Sequence, residues 1–184
     1  MRTQAELAAF IQSQAYLMSL LARVEALFLP DAWIAAGILR NAVWDRLHGR
    51  TPAYDPNQDV DVVYFDRADA SPERDRALEA ELLTRHPGVR WSVKNQARMH
   101  VRNGDAPYQD TADAMRHWPE TATAIGARAR EARLELAMPW GWDDLFDLAV
   151  RPTPRFEQKP DIYRDRLKAK DWRTRWPKLT FHGI

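Results

Sequence analysis

Asp59 and Asp61 are the residues best suited to chemistry in this sequence. They stand at i and i+2 at the head of Asp59-Val60-Asp61-Val62-Val63-Tyr64-Phe65, a β-branched and aromatic run that reads as a strand. Side chains two apart on a strand project from one face. Two carboxylates held that close repel, and each raises the other's pKa unless a cation sits between them. Mg²⁺ suits such a pair because it takes oxygen ligands, keeps several waters and completes its shell on substrate phosphates. Mn²⁺ favours the same donors. The alternative is that both acids cap the preceding loop or pair with arginines.

A second group lies about twenty residues earlier. Ala35-Ala36-Gly37-Ile38-Leu39-Arg40-Asn41 runs from a short strand through a glycine into a helix start. Glycine lets a phosphate approach the backbone, and a helix N-terminus offers free N–H groups and partial positive charge. Arg40 adds a planar, permanently charged clamp for a phosphate oxygen, and Asn41 follows it. Taken singly, Gly37 also reads as a tight turn, and Arg40 as an ion-pair partner of Asp61 or Asp45. Together with the two acids they describe a phosphate cradle facing a metal site. Lys94, Asn95, Gln96, Arg98 and His100 form a dense polar run that either lines a nucleotide or acceptor pocket or faces solvent. Arg128 is a weaker candidate of the same kind.

Other chemistries find no support. The five histidines (His48, His86, His100, His117, His182) have no zinc-site spacing. Cysteine is absent, which removes disulfides, thiolate metal sites and a cysteine nucleophile. Neither a Gly-x-Ser-x-Gly elbow nor a Walker phosphate loop occurs.

The elements that must position these residues follow from periodicity. Apolar residues from Leu7 to Phe28 recur at three- and four-residue steps, predicting one long helix or two in series, stopped by Pro30. A strand over 33–36 and a helix over 38–47 carry the cradle, with His48-Gly49 ending the helix. Ser71 and Pro72 open a helix that runs to Arg85. Further expectations are a strand over 89–94, a turn at Asn103-Gly104-Asp105, a helix over 110–118, a strand within 123–137 and a helical segment over 141–149. After Pro152 the chain reads as peripheral to the core. This order predicts an α+β fold, an α/β sandwich with a mixed sheet flanked by helices and an N-terminal helical segment.

The 184 residues suit one compact domain, read as residues 1–150 with a basic C-terminal extension, 151–184, packed on it. That extension holds ten Lys/Arg against four Asp/Glu, leaving 17 against 22 for the rest. Such a tail either neutralises an acidic body or attracts an anionic partner. Trp172 and Trp176, one turn apart among basic residues, read either as packing residues or as an RNA-stacking surface. The apolar N-terminal residues are interrupted by Gln12, Gln14, Arg23 and Glu25, so neither a secretory signal nor a membrane span is expected, and a cytoplasmic location is the default.

Gly37-Ile38-Leu39-Arg40-Asn41, Leu47-His48-Gly49-Arg50 and Asp59-Val60-Asp61 together resemble the signature of the DNA polymerase beta-like nucleotidyltransferase superfamily. The likeness is to its tRNA CCA-adding branch, where a Gly-Gly-x-Val-Arg-Asp helix ends in Leu-Leu-Gly-Arg and leads to an Asp-x-Asp strand. Over nearly its whole length the chain also resembles a family of bacterial nucleotidyltransferase-like proteins. The segments 91–100, 118–123, 126–128 and 143–146 carry that likeness. The resemblance implies a Mg²⁺-dependent transfer of a nucleoside monophosphate from a nucleoside triphosphate to an acceptor, with release of pyrophosphate. It places the metal on Asp59 and Asp61 and the nucleotide on Gly37, Arg40, Asn41, Lys94 and Asn95. Three departures stand out: Ala36 replaces the first glycine with no serine after Gly37, Asn41 replaces an aspartate, and no third carboxylate lies near Ser92–Asn95. Asp66 has the wrong parity to serve, and Glu135 is a candidate on a neighbouring strand. A catalytically quiet nucleotide- or RNA-binding module on the same fold is the alternative.

Overall fold

The computed structural model describes residues 1–131 and 133–184. In chain order the elements are α1 (Gln4–Gln12), α2 (Ala15–Glu25), β1 (Trp33–Ala35), α3 (Gly37–Leu47), β2 (Asp59–Tyr64), α4 (Pro72–Arg85), β3 (Arg90–Asn95), α5 (Met99–Asn103) and α6 (Thr111–Arg116). They continue with β4 (Gly126–Arg130), β5 (Arg133–Ala137), α7 (Asp143–Phe146), β6 (Ala149–Val150), α8 (Pro154–Glu157), α9 (Pro160–Lys168), α10 (Trp172–Arg175) and β7 (Thr180–Phe181). The main sheet has the order β3-β2-β1-β4-β5, and a separate two-stranded sheet pairs β6 with β7. Only β2 and β3 run parallel within the main sheet. This is the mixed sheet with flanking helices that the sequence predicts.

Local signals explain the elements. Thr3 opens α1 with a reciprocal cap, its hydroxyl accepting from the Glu6 N–H while the Glu6 carboxylate accepts from the Thr3 N–H. On α2 the buried residues Leu17, Leu20, Leu21 and Val24 fall on one helical stripe. Ser71 caps α4, and Pro72 occupies its first turn. On β2, Val60, Val62 and Tyr64 enter the main core while Val63 joins a smaller cluster with Trp33, Ala35 and Met115. By alternation Asp59 and Asp61 share the face of Val63.

Helix α3 is buried on nearly every side from Ile38 to Trp44, and what covers it corrects the reading of the C-terminal segment as peripheral. Trp172 and Trp176 are 4% and 1% exposed. Their rings meet Trp44 edge-on at 5.5 and 5.2 Å between centroids. The Trp176 indole N–H donates to Asp45 at 2.8 Å. Both rings are therefore core residues, with no face left for stacking RNA bases. Three smaller differences concern the type and bounds of elements. The 123–137 region holds two antiparallel strands, the polar run passes from the end of β3 into helix, and only Asp143–Phe146 of the 141–149 segment is helix. Among the described residues no helix is long and apolar enough to cross a membrane.

Candidate active site

Strand register brings the two predicted groups together. Ala35, the last residue of β1, pairs with Asp61 near the start of antiparallel β2. The chain leaving β1 thus enters α3 beside the acids. Gly37, Arg40, Asn41, Asp59 and Asp61 all line one polar cavity of about 330 Å³.

Its floor is a buried guanidinium. Arg40 is 5% exposed and lies 4.8 Å from the Trp44 ring centroid and 4.3 Å from that of Trp172. It donates to Thr123 Oγ1 at 2.7 Å and to Asn41 Oδ1 at 2.9 and 3.2 Å. Among the described residues none of its hydrogen bonds reaches a carboxylate, so neither Asp61 nor Asp45 is its ion-pair partner. Burial lowers its pKa to about 10, opposed by the negative charge of Glu120 and, more weakly, of Asp61. At neutral pH this is a desolvated cation with neutral partners only, which favours an incoming anion.

Asn41 holds the cradle by its other end, donating from Nδ2 to Gln58 Oε1 at 3.1 Å. The Gln58 amide nitrogen is buried with no hydrogen-bond partner among the described residues, a donor waiting for an acceptor. A Cβ on Gly37 would stand 3.5 Å from that nitrogen and 3.8 Å from Arg40 Nη2. The missing side chain therefore leaves open the space that both donors face. Ala36, ahead of it, has φ 56° and ψ −122°, a conformation that glycine adopts freely and alanine does not.

The acids line the same cavity. Asp61 is half-buried. Burial raises its pKa, and repulsion from Asp59 adds to that, while Ser92, Arg40 and Lys170 act in the opposite sense. Ser92 sits level with Asp61 in the parallel β2–β3 register. Asp59 is exposed and paired with Arg90 at 3.0 Å. Two carboxylates on one strand face fit a divalent cation that keeps waters and takes phosphate oxygens. Among the described residues no third His, Cys, Asp or Glu joins them in a metal-sized cluster. Glu135 on β5 instead pairs with Arg128 on β4, and Asp66 accepts from Arg74 at 2.5 Å.

Lys94 and Asn95, expected at the nucleotide pocket, lie elsewhere. Because β2 and β3 are parallel, the acids stand at the start of both strands, level with Arg90 and Ser92, and Asn95 is level with Tyr64. Three residues of strand put it about 10 Å farther along. Asn95 is fully buried and occupied: Nδ2 donates to the Asp66 and Asp69 carbonyls, and Oδ1 accepts from Asp66 and Ala97 N–H groups. The Lys94 ammonium pairs with Glu79 at 2.8 Å. Arg128 is likewise taken, by Asp31 and Glu135, with its guanidinium 4.0 Å from the Trp33 ring centroid.

The pocket gains residues that sequence reading did not place there: Gln58, Thr123, Arg166, Lys170 and Arg175. The last three come from the C-terminal segment, whose excess of basic residues was the available signal. Arg166 makes two contacts to the buried Glu120, at 2.5 and 3.2 Å, and Arg175 lies 3.7 Å from Asp55.

With this geometry in view, comparison with known proteins is decisive. Residues 22–181 match the family model described as nucleotidyltransferase. The chain belongs to the nucleotidyltransferase family. A protein whose NMR structure is described as revealing a CCA-adding enzyme head domain is 35% identical, with a TM-score of 0.87 over 100% of this chain and 98% of that one. A CCA-adding enzyme solved in complex with CTP shares the fold, with a TM-score of 0.55 at 16% identity. That alignment covers 98% of this chain and 43% of the enzyme, so the chain spans under half of its length. No curated protein matches. The nucleotidyltransferase assignment thus agrees with the polymerase beta-like resemblance and its CCA-adding signature.

Proposed function

We propose that the pocket binds a nucleoside triphosphate with a divalent cation and transfers its nucleoside monophosphate to an acceptor, releasing pyrophosphate. The observation that carries this is Arg40, a buried cation with only neutral partners, lining one cavity with the Asp59–Asp61 pair. Asp59 and Asp61 would hold Mg²⁺ or Mn²⁺, which when bound supplies charge neutralisation for the phosphates and activation of a hydroxyl. The chain itself orients and desolvates. The open space at Gly37 admits phosphate oxygens to the first turn of α3, Arg40 and Gln58 donate to them, and Asn41 and Thr123 fix Arg40 in place. Such preorganised donors act without reorganising during the reaction.

The missing third carboxylate among the described residues favours a second reading, a catalytically quiet nucleotide-binding module. RNA is one acceptor or partner compatible with the exposed Arg173 and Lys178 of the C-terminal segment, and its binding would weaken steeply with salt.

Thermal denaturation with each ribonucleoside triphosphate, with and without Mg²⁺, tests the site. A ligand at a hundred times its Kd adds about 2.7 kcal/mol, roughly 5–10 °C for a chain of this size. We expect a Mg²⁺-dependent shift that Asp61→Ala abolishes. No shift with any nucleotide would overturn the assignment of the pocket. A shift without pyrophosphate release from any acceptor would favour the quiet module.

A further inference from the structure

Four cations and four acids (Asp55, Asp59, Asp61 and Asp171) line the pocket, but the cations are paired unequally. Of its four cations, Arg166 is matched by buried Glu120 and Arg175 leans on Asp55. Arg40 has neutral partners only. Lys170 lies in the connection between α9 and α10 and lines the cavity. Among the described residues its ammonium has no ion pair and no hydrogen bond. It senses Arg166 and Arg40 as neighbouring like charges and Glu120 and Asp61 as opposing ones. Two unmatched cations therefore come from different walls, Arg40 from α3 and Lys170 from the C-terminal segment.

Both cations sense Glu120, which Arg166 already matches, and Asp61, whose charge a divalent cation on Asp59 and Asp61 would offset. Arg40 and Lys170 would then stand as two separate cations with no ion pair among the described residues. One phosphate group can answer one of them, whereas a chain of phosphates can answer both.

We propose that Lys170 reads the length of the phosphate chain, making the pocket selective for a triphosphate over a di- or monophosphate. This rests on the nucleotide-binding reading above and adds to it a specificity-determining residue from the C-terminal segment. Arg40 anchors the phosphates against α3, and Lys170 engages the terminal phosphate from across the cavity. Lys170 is exposed, so its replacement leaves the core intact.

Calorimetric titration of wild type, Lys170→Met and Lys170→Arg with CTP and ATP, their di- and monophosphates and inorganic tripolyphosphate, all with Mg²⁺, tests this. Lys170→Met should lose about tenfold in affinity for triphosphates and tripolyphosphate, the worth of one charge-assisted hydrogen bond. Monophosphate affinity should stay unchanged, and Lys170→Arg should retain most of the triphosphate binding. Equal triphosphate affinity in Lys170→Met and wild type, or equal losses for tri- and monophosphate, would overturn the proposal. Wild type that binds neither nucleotide nor tripolyphosphate would overturn both readings. Tripolyphosphate binding without nucleotide binding would sink only the nucleotide reading, leaving the Lys170→Met comparison to judge the lysine.

Discussion

Ala36 carries φ 56° where the resembling signature has glycine. A non-glycine residue in such a region costs about 1–3 kcal/mol, and glycine returns part of that through its greater freedom when unfolded. Ala36→Gly should therefore raise stability by about 1 kcal/mol, or roughly 2–4 °C in Tm for a chain of this length, measurable by calorimetry. An unchanged or lower Tm would mean that the backbone there is not under strain. Asp61 stores a different cost. Its folded pKa is raised by burial and by Asp59, so the folded state binds its proton more tightly than the unfolded chain does. Stability is then full below the unfolded value of about 3.9 and falls as pH rises through the folded value. Asp61→Asn should be more stable than wild type at neutral pH, with the gain vanishing toward pH 4 in paired denaturant titrations. A gain that persists at low pH would assign the effect to something other than ionisation.

The C-terminal helices meet the rest of the chain through ion pairs, of which Arg166–Glu120 holds the most deeply buried carboxylate. Arg166 neutralises Glu120, whose side chain is 1% exposed while that of Arg166 is 31% exposed. Removing the arginine strands a buried carboxylate, a loss of about 3 kcal/mol. Arg166→Met should show that loss in urea unfolding, and the double variant with Glu120→Gln should recover much of it. Full additivity of the two changes would show that the pair is not coupled. Such long-range matches explain what the sequence leaves illegible. The strand carrying Asp59 and Asp61 and the Gly37–Asn41 helix start are encoded within a few residues by alternation and by a turn, and both were readable. Asn95 misled because a polar run after a strand looks alike whether it faces a ligand or satisfies backbone groups of the β2–α4 loop. Only the parallel register, absent from local pattern, puts it at the wrong end of the sheet.

At the scale of the molecule, the basic segment that composition sets apart from an acidic body is part of the same core. Trp172, Trp176 and Leu179 pack in the cluster that holds Trp44 and Val62, and Gly183 lies within 4 Å of Pro152 and Tyr163 at its Cβ position. Composition could reveal the segment's charge but not its destination, because tryptophans one turn apart suit a core and a stacking platform equally. Deleting residues 160–184 should abolish cooperative unfolding, since each buried tryptophan lost costs about 3–5 kcal/mol against a total stability of about 5–15 kcal/mol. A sharp calorimetric transition in the shortened chain would show that residues 1–159 fold alone. The packing of Arg40 against two indoles carries one more consequence. Anything that draws that guanidinium toward a ligand alters the electrostatic field on the Trp44 and Trp172 chromophores, so the protein carries its own optical gauge of pocket occupancy, readable as a change in emission without any added label.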